Sequence, residues 1–320
     1  MINGLFRKGF ILGIILFFIL AGIIPSTVGI IKEKNVIMNL GSRGYIQDLI
    51  DNASDGDTIY ISSGIYYENI IINKSISLIG EDKNTTIIDG SGTGDVVYIK
   101  ADWVNISGFT IRNGGGAGID IDSNYNMIQN NTISNNNCGI YLIGASFNNL
   151  TYNNITSNNG NGMSLGSSNY NTITENTITS NNDNGIFLRL SDYNTIIGNI
   201  ISNKNNGVYI GGSNHNNITG NTISKNTFGI LLRFLIIWSH NFPSRKNNIT
   251  KNNFLGYRQL TYCGGDWSNF WSENYWNRPR IFPKLIFGAV LLGFAFFEGI
   301  PIVIPWFNVD WYPAFKPYDI

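Results

Sequence analysis

A short asparagine–isoleucine phrase recurs through the middle of the chain and constrains its fold more than any other feature. The phrase is Asn-x-Ile-x-x-Asn-x-Ile, with leucine at one of the isoleucine positions, and its copies follow at intervals of 22, 23, 23 and 22 residues. A repeat of this length has no hydrophobic core of its own, so repeats bury their apolar faces only by stacking on one another. The five copies begin at Asn126, Asn148, Asn171, Asn194 and Asn216.

Apolar and polar residues alternate within each repeat, which predicts short strands with one buried face. Asparagine recurs at the bends, where its side chain can hydrogen-bond to its counterpart in the next coil. A second phrase, Gly-apolar-x-apolar, begins at Gly118, Gly139, Gly162, Gly185, Gly207 and Gly229. A coil of about 22 residues has room for three strands, and parallel crossovers prefer right-handed winding. The sequence therefore predicts an all-β fold, a single right-handed parallel β-helix.

The first 31 residues have the pattern of an export segment. Arg7 and Lys8 precede an uncharged apolar run at 10–31, as in a signal peptide. The run is also long enough to span a bilayer uncleaved, so residues 1–31 are either a signal peptide or an N-terminal membrane anchor. Because the positive end stays inside, both alternatives predict an exported protein, located at the cell surface, in the periplasm or outside the cell.

Changes in composition predict a cap at each end of the stack. In the region 36–80, helical spacing of apolar residues at 42–53, with Ser42 as the N-cap, precedes a turn and the first strands. A helix over the open end would protect the first coil from pairing with other chains. The repeats then occupy 81–255, with an insertion near 233–246 where the period breaks, and 256–320 form an aromatic C-terminal cap.

The apolar segment at 285–305 has two interpretations. It could cross a membrane, but Glu298, Pro301 and Pro305 interrupt it, so we prefer a cap that packs on the last coil. Membrane contact is then expected through the N-terminal segment alone. In this cap we expect five tryptophans to pack together as an aromatic plug. These are Trp267, Trp271, Trp276, Trp306 and Trp311.

The opening coils and the repeats resemble known proteins. Gly-Asp-Thr-Ile at 56–59, Glu68, and Ile-Ile-Asp-Gly at 87–90 are similar to the first coils of the pectin-lyase-like superfamily. The repeats, over about 105–253, resemble the NosD-type and carbohydrate-binding or sugar-hydrolase group of right-handed β-helices. The resemblance implies the fold. The superfamily includes polysaccharide lyases, glycosidases, esterases and epimerases, so the resemblance does not decide an activity.

One outward-facing column is the candidate ligand-binding site. The residue two positions after each repeat glycine points outward by strand alternation, and this column contains Tyr141, Phe187 and Tyr209. Asp122 and Arg189 lie two residues further along the same face. Aromatic rings stack on sugars, and a coil rise of ~4.8 Å is close to the length of a sugar unit. The sequence predicts binding of a polysaccharide or cell-surface glycan, and a purely structural aromatic column is the alternative.

Carboxylates are sparse in the coils, and one pair has a spacing suited to catalysis. Asp120 and Asp122 alternate on one strand, so both point outward, roughly 6.6–7 Å apart by strand rise. Glycoside hydrolysis uses two carboxylates about 5–9.5 Å apart, which makes this pair the catalytic candidate. The chain lacks the clustered Asp, His and Arg of the superfamily's polygalacturonases, pectate lyases, pectin esterases and alginate epimerases.

Composition weighs against other functions. A formal net charge of +0 and the lack of a basic stripe give no basis for nucleic-acid binding. The resemblance to NosD implies a link to copper delivery, yet His215 and His240 lie in no ligand cluster, so we expect no metal site and no cofactor. Three hypotheses remain: a surface protein that binds carbohydrate or is structural, a polysaccharide-active lyase or hydrolase, and a copper-maturation accessory. The scarcity of acids and copper ligands favours the first.

Overall fold

The computed structural model describes residues 44–233, 235–237, 240–256, 260–264, 268–277, 279, 282–294 and 301–319. The N-terminal export segment, 1–31, and the expected N-cap Ser42 lie outside the described residues. Within the described residues, no helix combines the length and the apolar character needed to cross a membrane.

Each coil contributes one strand to each of three sheets, and strands adjacent in a sheet come from successive coils. The first sheet contains Thr58–Ile61, Ser77–Gly80, Asn105–Ser107, Met127–Gln129, Asn149–Thr151, Thr172–Thr174, Thr195–Ile197, Asn217–Thr219, Asn248–Thr250 and Phe270–Ser272. The second contains Gly64–Tyr66, Thr86–Asp89, Thr110–Arg112, Thr132–Ser134, Asn154–Thr156, Thr177–Thr179, Ile200–Ser202, Thr222–Ser224, Asn253–Leu255 and Tyr275–Trp276. The third contains Ile70–Ile72, Val97–Ile99, Ala117–Ile121, Cys138–Ile143, Met163–Gly166, Ile186–Arg189, Asn206–Gly211, Phe228–Arg233, Leu260–Gly264, Lys284–Phe294 and Pro301–Asp310.

The coils pair in parallel, and like residues lie opposite one another. Ile178 is fully buried between Ile155 and Ile201 of the neighbouring coils, while its flanking residues Thr177 and Thr179 are partly exposed. This pattern recurs because strand alternation sends the middle residue of each short strand inward. Each such burial stabilises by about 1.5–3 kcal/mol. The predicted parallel β-helix is confirmed.

Columns of buried asparagine join the coils at the bends, as the repeats predicted. The backbone N–H of Asn148 donates to Oδ1 of Asn171 at 2.9 Å, and Nδ2 of Asn171 donates to the carbonyl of Ala145 at 3.0 Å. These bonds satisfy the buried amide, which would otherwise destabilise the fold by about 1–3 kcal/mol for each unpaired group. A further column, outside the repeated phrase, contains Asn136, Asn158, Asn181, Asn203 and Asn226.

The repeat glycines are required by close approach of neighbouring coils. A Cβ at Gly162 would lie 2.8 Å from the carbonyl oxygen of Gly185 and 2.5 Å from Cγ2 of Ile178. Both distances are too short for a carbon atom, and Gly207 meets the same two kinds of neighbour. Glycine is therefore needed here for space between coils.

A short helix covers the first coil. It spans Tyr45–Asp51 and buries Ile46 and Ile50. The carboxylate of Glu68 accepts the backbone N–H groups of Ile46 at 3.0 Å and Gln47 at 3.1 Å, which satisfies two donors at the helix N-terminus. The helix is shorter than the predicted 42–53, and its N-cap residue is Gly44.

The insertion forms an antiparallel hairpin on one coil. Asn247 follows Asn216 in the asparagine column, 31 residues later, where other coils advance by 22 or 23. Within the extra length, Leu235–Ile237 pairs antiparallel with His240–Phe242. The insertion is thus a structured element beside the bend that leads into the first sheet.

A second antiparallel hairpin ends the third sheet. Lys284–Phe294 joins the parallel strand Leu260–Gly264 and then pairs antiparallel with Pro301–Asp310. All of the described part of the apolar segment 285–305 is therefore strand.

The predicted aromatic plug is only partly formed. Trp271 and Trp276 are buried, with ring centroids 6.2 Å apart. Trp311 is 64% exposed because it lies just beyond the last strand, so its predicted place in the plug is wrong. Trp267 lies outside the described residues, as does the side chain of Trp306.

Candidate functional site

The outer face of the third sheet brings the predicted column together. Tyr141 lies between Asp120 and Ser164 of the neighbouring coils, and Phe187 lies opposite Tyr209. We call this column the aromatic row; it contains Tyr98, Asp120, Tyr141, Ser164, Phe187, Tyr209 and Leu231. A second row beside it contains Ile143, Gly166, Arg189, Gly211 and Arg233.

One end of the aromatic row is a stacked ring pair with cations nearby. The rings of Phe187 and Tyr209 are 4.8 Å apart at an interplanar angle of 20°. Burial raises the pKa of Tyr209, and the positive charges of Arg233 and Arg189 act in the opposite direction. Both rings are only partly exposed, because each covers a face of the other. This end of the row can receive a negatively charged ligand.

A gap separates that ring pair from Tyr141. The intervening coil has only small residues on this face, Ser164 in the aromatic row and Gly166 in the second row. Tyr141 and Phe187 are two coils apart, which corresponds to about 9.6 Å along the stack. Stacked ring partners lie about 4.5–7 Å apart, so one flat ring fits between them. Ser164, at 8% exposed, lies at the bottom of this gap.

The other end of the aromatic row is acidic. Tyr98 donates its hydroxyl to Oδ2 of Asp122 at 3.3 Å, and Nζ of Lys100 lies 4.7 Å from the centroid of the Tyr98 ring. Oδ1 of Asp120 is buried and finds no hydrogen-bond partner among the described residues. Burial, followed by the charges of Asp95 and Asp122, raises the pKa of Asp120 to about 6. Asp120 can therefore hold a proton up to about pH 6, and a general acid must carry its proton at the working pH.

The donors in the described residues do not fit copper. Burial raises the pKa of the Cys138 thiol to about 12, which opposes the thiolate form that binds metals. Met163 is buried in the apolar core, and His215 lies in a stack of rings. Within the described residues, no three His, Cys, Asp or Glu side chains come close enough to hold a metal ion.

A second column of aromatic rings was not predicted from the sequence. We call it the ring column; it lies at the bend before the first sheet and contains Trp103, Tyr125, Phe147, Tyr170, Tyr193 and His215. Neighbouring centroids are 4.6–5.1 Å apart and nearly parallel. Each residue has a left-handed backbone, with φ between 56° and 63°. The inner rings cover each other's faces, so only their edges meet solvent.

The signal for the ring column lay beside the asparagine repeat. Tyr125, Phe147, Tyr170, Tyr193 and His215 each directly precede the first asparagine of a repeat. Five residues of three types hold this one position, so a search for identical residues passes over it, whereas a search for ring-bearing side chains would have found it.

Solved structures with a similar fold include polysaccharide-cleaving enzymes. An alginate lyase from Paenibacillus sp. str. FPU-7 superposes with a TM-score of 0.59 at 14% identity, over 73% of this chain and 94% of that one. Pectate lyase Pel9A superposes with a TM-score of 0.55 at 15% identity, over 72% and 74%. At these identities the likeness establishes the fold alone.

Two matches are found by sequence. A cell surface glycoprotein of Methanothermus fervidus is 40% identical over 94 residues, which is 28% of this chain and 15% of that protein. The chain thus corresponds to a small part of that relative. The model of the family described as periplasmic copper-binding protein (NosD) matches residues 50–284. This match covers most of the chain and nearly all of its coils, and the protein belongs to the NosD family.

Proposed function

We propose that this chain is an exported cell-surface protein that binds a polysaccharide on the outer face of its third sheet. The family description places its members in the periplasm, and the relative from Methanothermus fervidus is named as a cell surface glycoprotein. Both support export, as does the apolar N-terminal segment 1–31. Polysaccharide is the class of ligand that matches an extended face on which aromatic rings recur from coil to coil.

The gap over Ser164 carries the proposal. A pyranose unit between Tyr141 and Phe187 would contact a ring on each side, and stacking against aromatic rings is a recurrent source of sugar affinity. Phe187 has one face covered by Tyr209 and the other directed toward the gap. Arg189, beside Phe187 on the same strand, is positioned to hydrogen-bond a hydroxyl or a carboxylate of the sugar. Neighbouring sugar units would then extend to either side of the aromatic row, because Tyr141 and Phe187 occupy the positions one coil before and one coil after the gap.

Affinity electrophoresis of the full-length protein tests this function. Gels would contain alginate, polygalacturonate or a neutral glucan, and the wild type is expected to be retarded by at least one of them. The double variant Phe187→Ala/Tyr209→Ala should be retarded less than the wild type while keeping its melting temperature nearly unchanged. Tyr152→Ala is the matched control, because Tyr152 is 63% exposed and lies on the bend between the first and second sheets, away from the third. Equal retardation of all three proteins would refute binding on this face.

The acidic end of the aromatic row favours a second function, cleavage of the bound polysaccharide. Asp120 would donate a proton to the leaving oxygen, since its raised pKa of about 6 keeps it protonated in mildly acidic solution. Asp122, on the same outer face, would act as the base or nucleophile. An assay for new reducing ends or unsaturated products separates this function from binding alone. Cleavage that disappears in Asp120→Asn while retardation persists would support the enzyme; a lack of product with a retained polysaccharide would support a binding protein.

A further inference from the structure

The ring column does not continue past the insertion hairpin. His215 is its last ring, 4.7 Å from Tyr193 with planes 6° apart. The next position in the column is held by Lys246, which has the same left-handed backbone, with φ of 52°. The second face of the His215 ring is therefore not covered by another ring of the column.

A cavity of about 400 Å³ lies at this end of the ring column. Its walls include Tyr193 and His215 from the column, Phe242 and Pro243 from the insertion, and Arg245 and Lys246 from the bend. The volume falls within the ~300–1,000 Å³ of small-molecule sites. Phe242 is 38% exposed, so the insertion adds an accessible apolar wall that the other coils lack.

Hydrogen bonds hold the lining of this cavity in place. The backbone N–H of His215 donates to the carbonyl of Arg245 at 3.0 Å, and the N–H of Arg245 donates to Oδ1 of Asn214 at 2.9 Å. Oδ1 of Asp192 accepts the backbone N–H of Asn214 at 2.7 Å, so this carboxylate is engaged in fixing the bend. A fixed lining reduces the conformational entropy lost on binding.

The chemistry of the lining selects a ligand class. Phe242 and the face of the His215 ring that points away from Tyr193 offer two surfaces for a ring. Lys246, an exposed residue, supplies an ammonium group in the same lining. No ion pair of Lys246 occurs within the described residues. A ring with a carboxylate attached satisfies both the flat surfaces and the positive charge. Among the ligands found outside the cell, a uronate unit of an acidic polysaccharide has this form.

We propose that the cavity between His215 and the insertion hairpin is a second binding site, specific for an acidic sugar unit. The site lies on a bend rather than on the outer face of the third sheet, and it is built from different residues than the gap over Ser164. Its occupation therefore does not depend on the function proposed above. The insertion is what distinguishes this coil, because it supplies the Phe242 wall.

Calorimetric titration of the full-length protein with trigalacturonate, and with the neutral galactose trisaccharide as comparison, tests this site. Trigalacturonate should bind at least about tenfold more tightly, and its affinity should fall with added salt. Lys246→Glu should weaken the binding of trigalacturonate by about tenfold or more. Phe242→Ala should also weaken this binding, with the melting temperature unchanged. Lys225→Glu, an exposed lysine on a bend of the same coil, should leave binding as in the wild type.

Two results would overturn the proposal. One is equal affinity for the charged and neutral trisaccharides. The other is trigalacturonate binding that survives in Lys246→Glu and Phe242→Ala. The double variant Phe187→Ala/Tyr209→Ala separates the two sites, because it should bind trigalacturonate as tightly as the wild type even where its retardation by a polysaccharide is reduced. Loss in that variant instead would assign the acidic sugar to the third sheet and refute a site at the hairpin.

Discussion

The carboxylate of Asp310 accepts the indole N–H of Trp276 at 2.9 Å, beneath the last coil of the first and second sheets. The same oxygen accepts the backbone N–H of Asn274 at 3.1 Å and its Nδ2 at 3.2 Å. In earlier coils an asparagine side chain fills this acceptor position, as Asn252 does for Asn221. Asp310 thus replaces the asparagine that a further coil would have provided.

Asp310→Ala should therefore destabilise the protein through its C-terminal end. The backbone N–H of Asn274 and the indole N–H of Trp276 would lose their acceptor, and each unpaired donor costs about 1–3 kcal/mol. We expect a loss of about 3 kcal/mol in the free energy of unfolding, measured by chemical denaturation. Asp310→Asn keeps an acceptor oxygen and should lose much less. Equal loss in both variants would contradict an acceptor role for this side chain.

Close packing between coils predicts that alanine substitution at two nearby glycines, Gly162 and Gly166, has different effects on stability. Gly162→Ala would place a carbon against Gly185 and Ile178, whereas a Cβ at Gly166 meets nothing nearer than 3.9 Å. Overpacking costs about 1–3 kcal/mol, so Gly162→Ala should lower the melting temperature and Gly166→Ala should not. Two variants that melt alike would show that the coils can move apart at Gly162.

The repeated part of the fold could be predicted because its signals are local. The spacing of Asn171 and its counterparts and the alternation around Ile178 fix the coil length, the inward face and the asparagine columns. The pairing of Asp310 with Asn274 could not be predicted in this way, because it spans 36 residues outside the repeat. It depends on the C-terminal hairpin, whose path no periodic pattern indicates.

The candidate site was predicted in outline only. Strand alternation correctly put Tyr141, Phe187 and Tyr209 on one face. The gap over Ser164 depends on which rings have a ring neighbour, and that requires the register of successive coils. The raised pKa of Asp120 depends on burial by surrounding residues, which the linear order of Asp120 and Asp122 does not reveal.

Asp120 should make stability depend on pH. Its pKa in the folded protein, about 6, lies above the ordinary value near 3.9 expected on unfolding. Between these values the folded state binds more protons than the unfolded state, so the free energy of unfolding falls as pH rises. The stabilisation that comes from proton binding by Asp120 is fully present below about pH 4 and is lost as the pH rises through about 6. Asp120→Asn should flatten this slope relative to wild type, and parallel pH profiles of the two proteins would contradict the raised pKa.

Filling the gap over Ser164 tests polysaccharide binding on the third sheet most directly. Ser164→Tyr would place a ring between Tyr141 and Phe187, extending the aromatic stack while occupying the space proposed for the sugar. Leu231→Tyr is the matched control, because it adds a ring next to Tyr209 in the same row but outside the gap. Dissociation constants for the polysaccharide retained by the wild type would be measured by calorimetry, with melting temperatures alongside. The account predicts binding at least about tenfold weaker for Ser164→Tyr, with undiminished stability and normal binding by Leu231→Tyr; unchanged affinity in a folded Ser164→Tyr would contradict it.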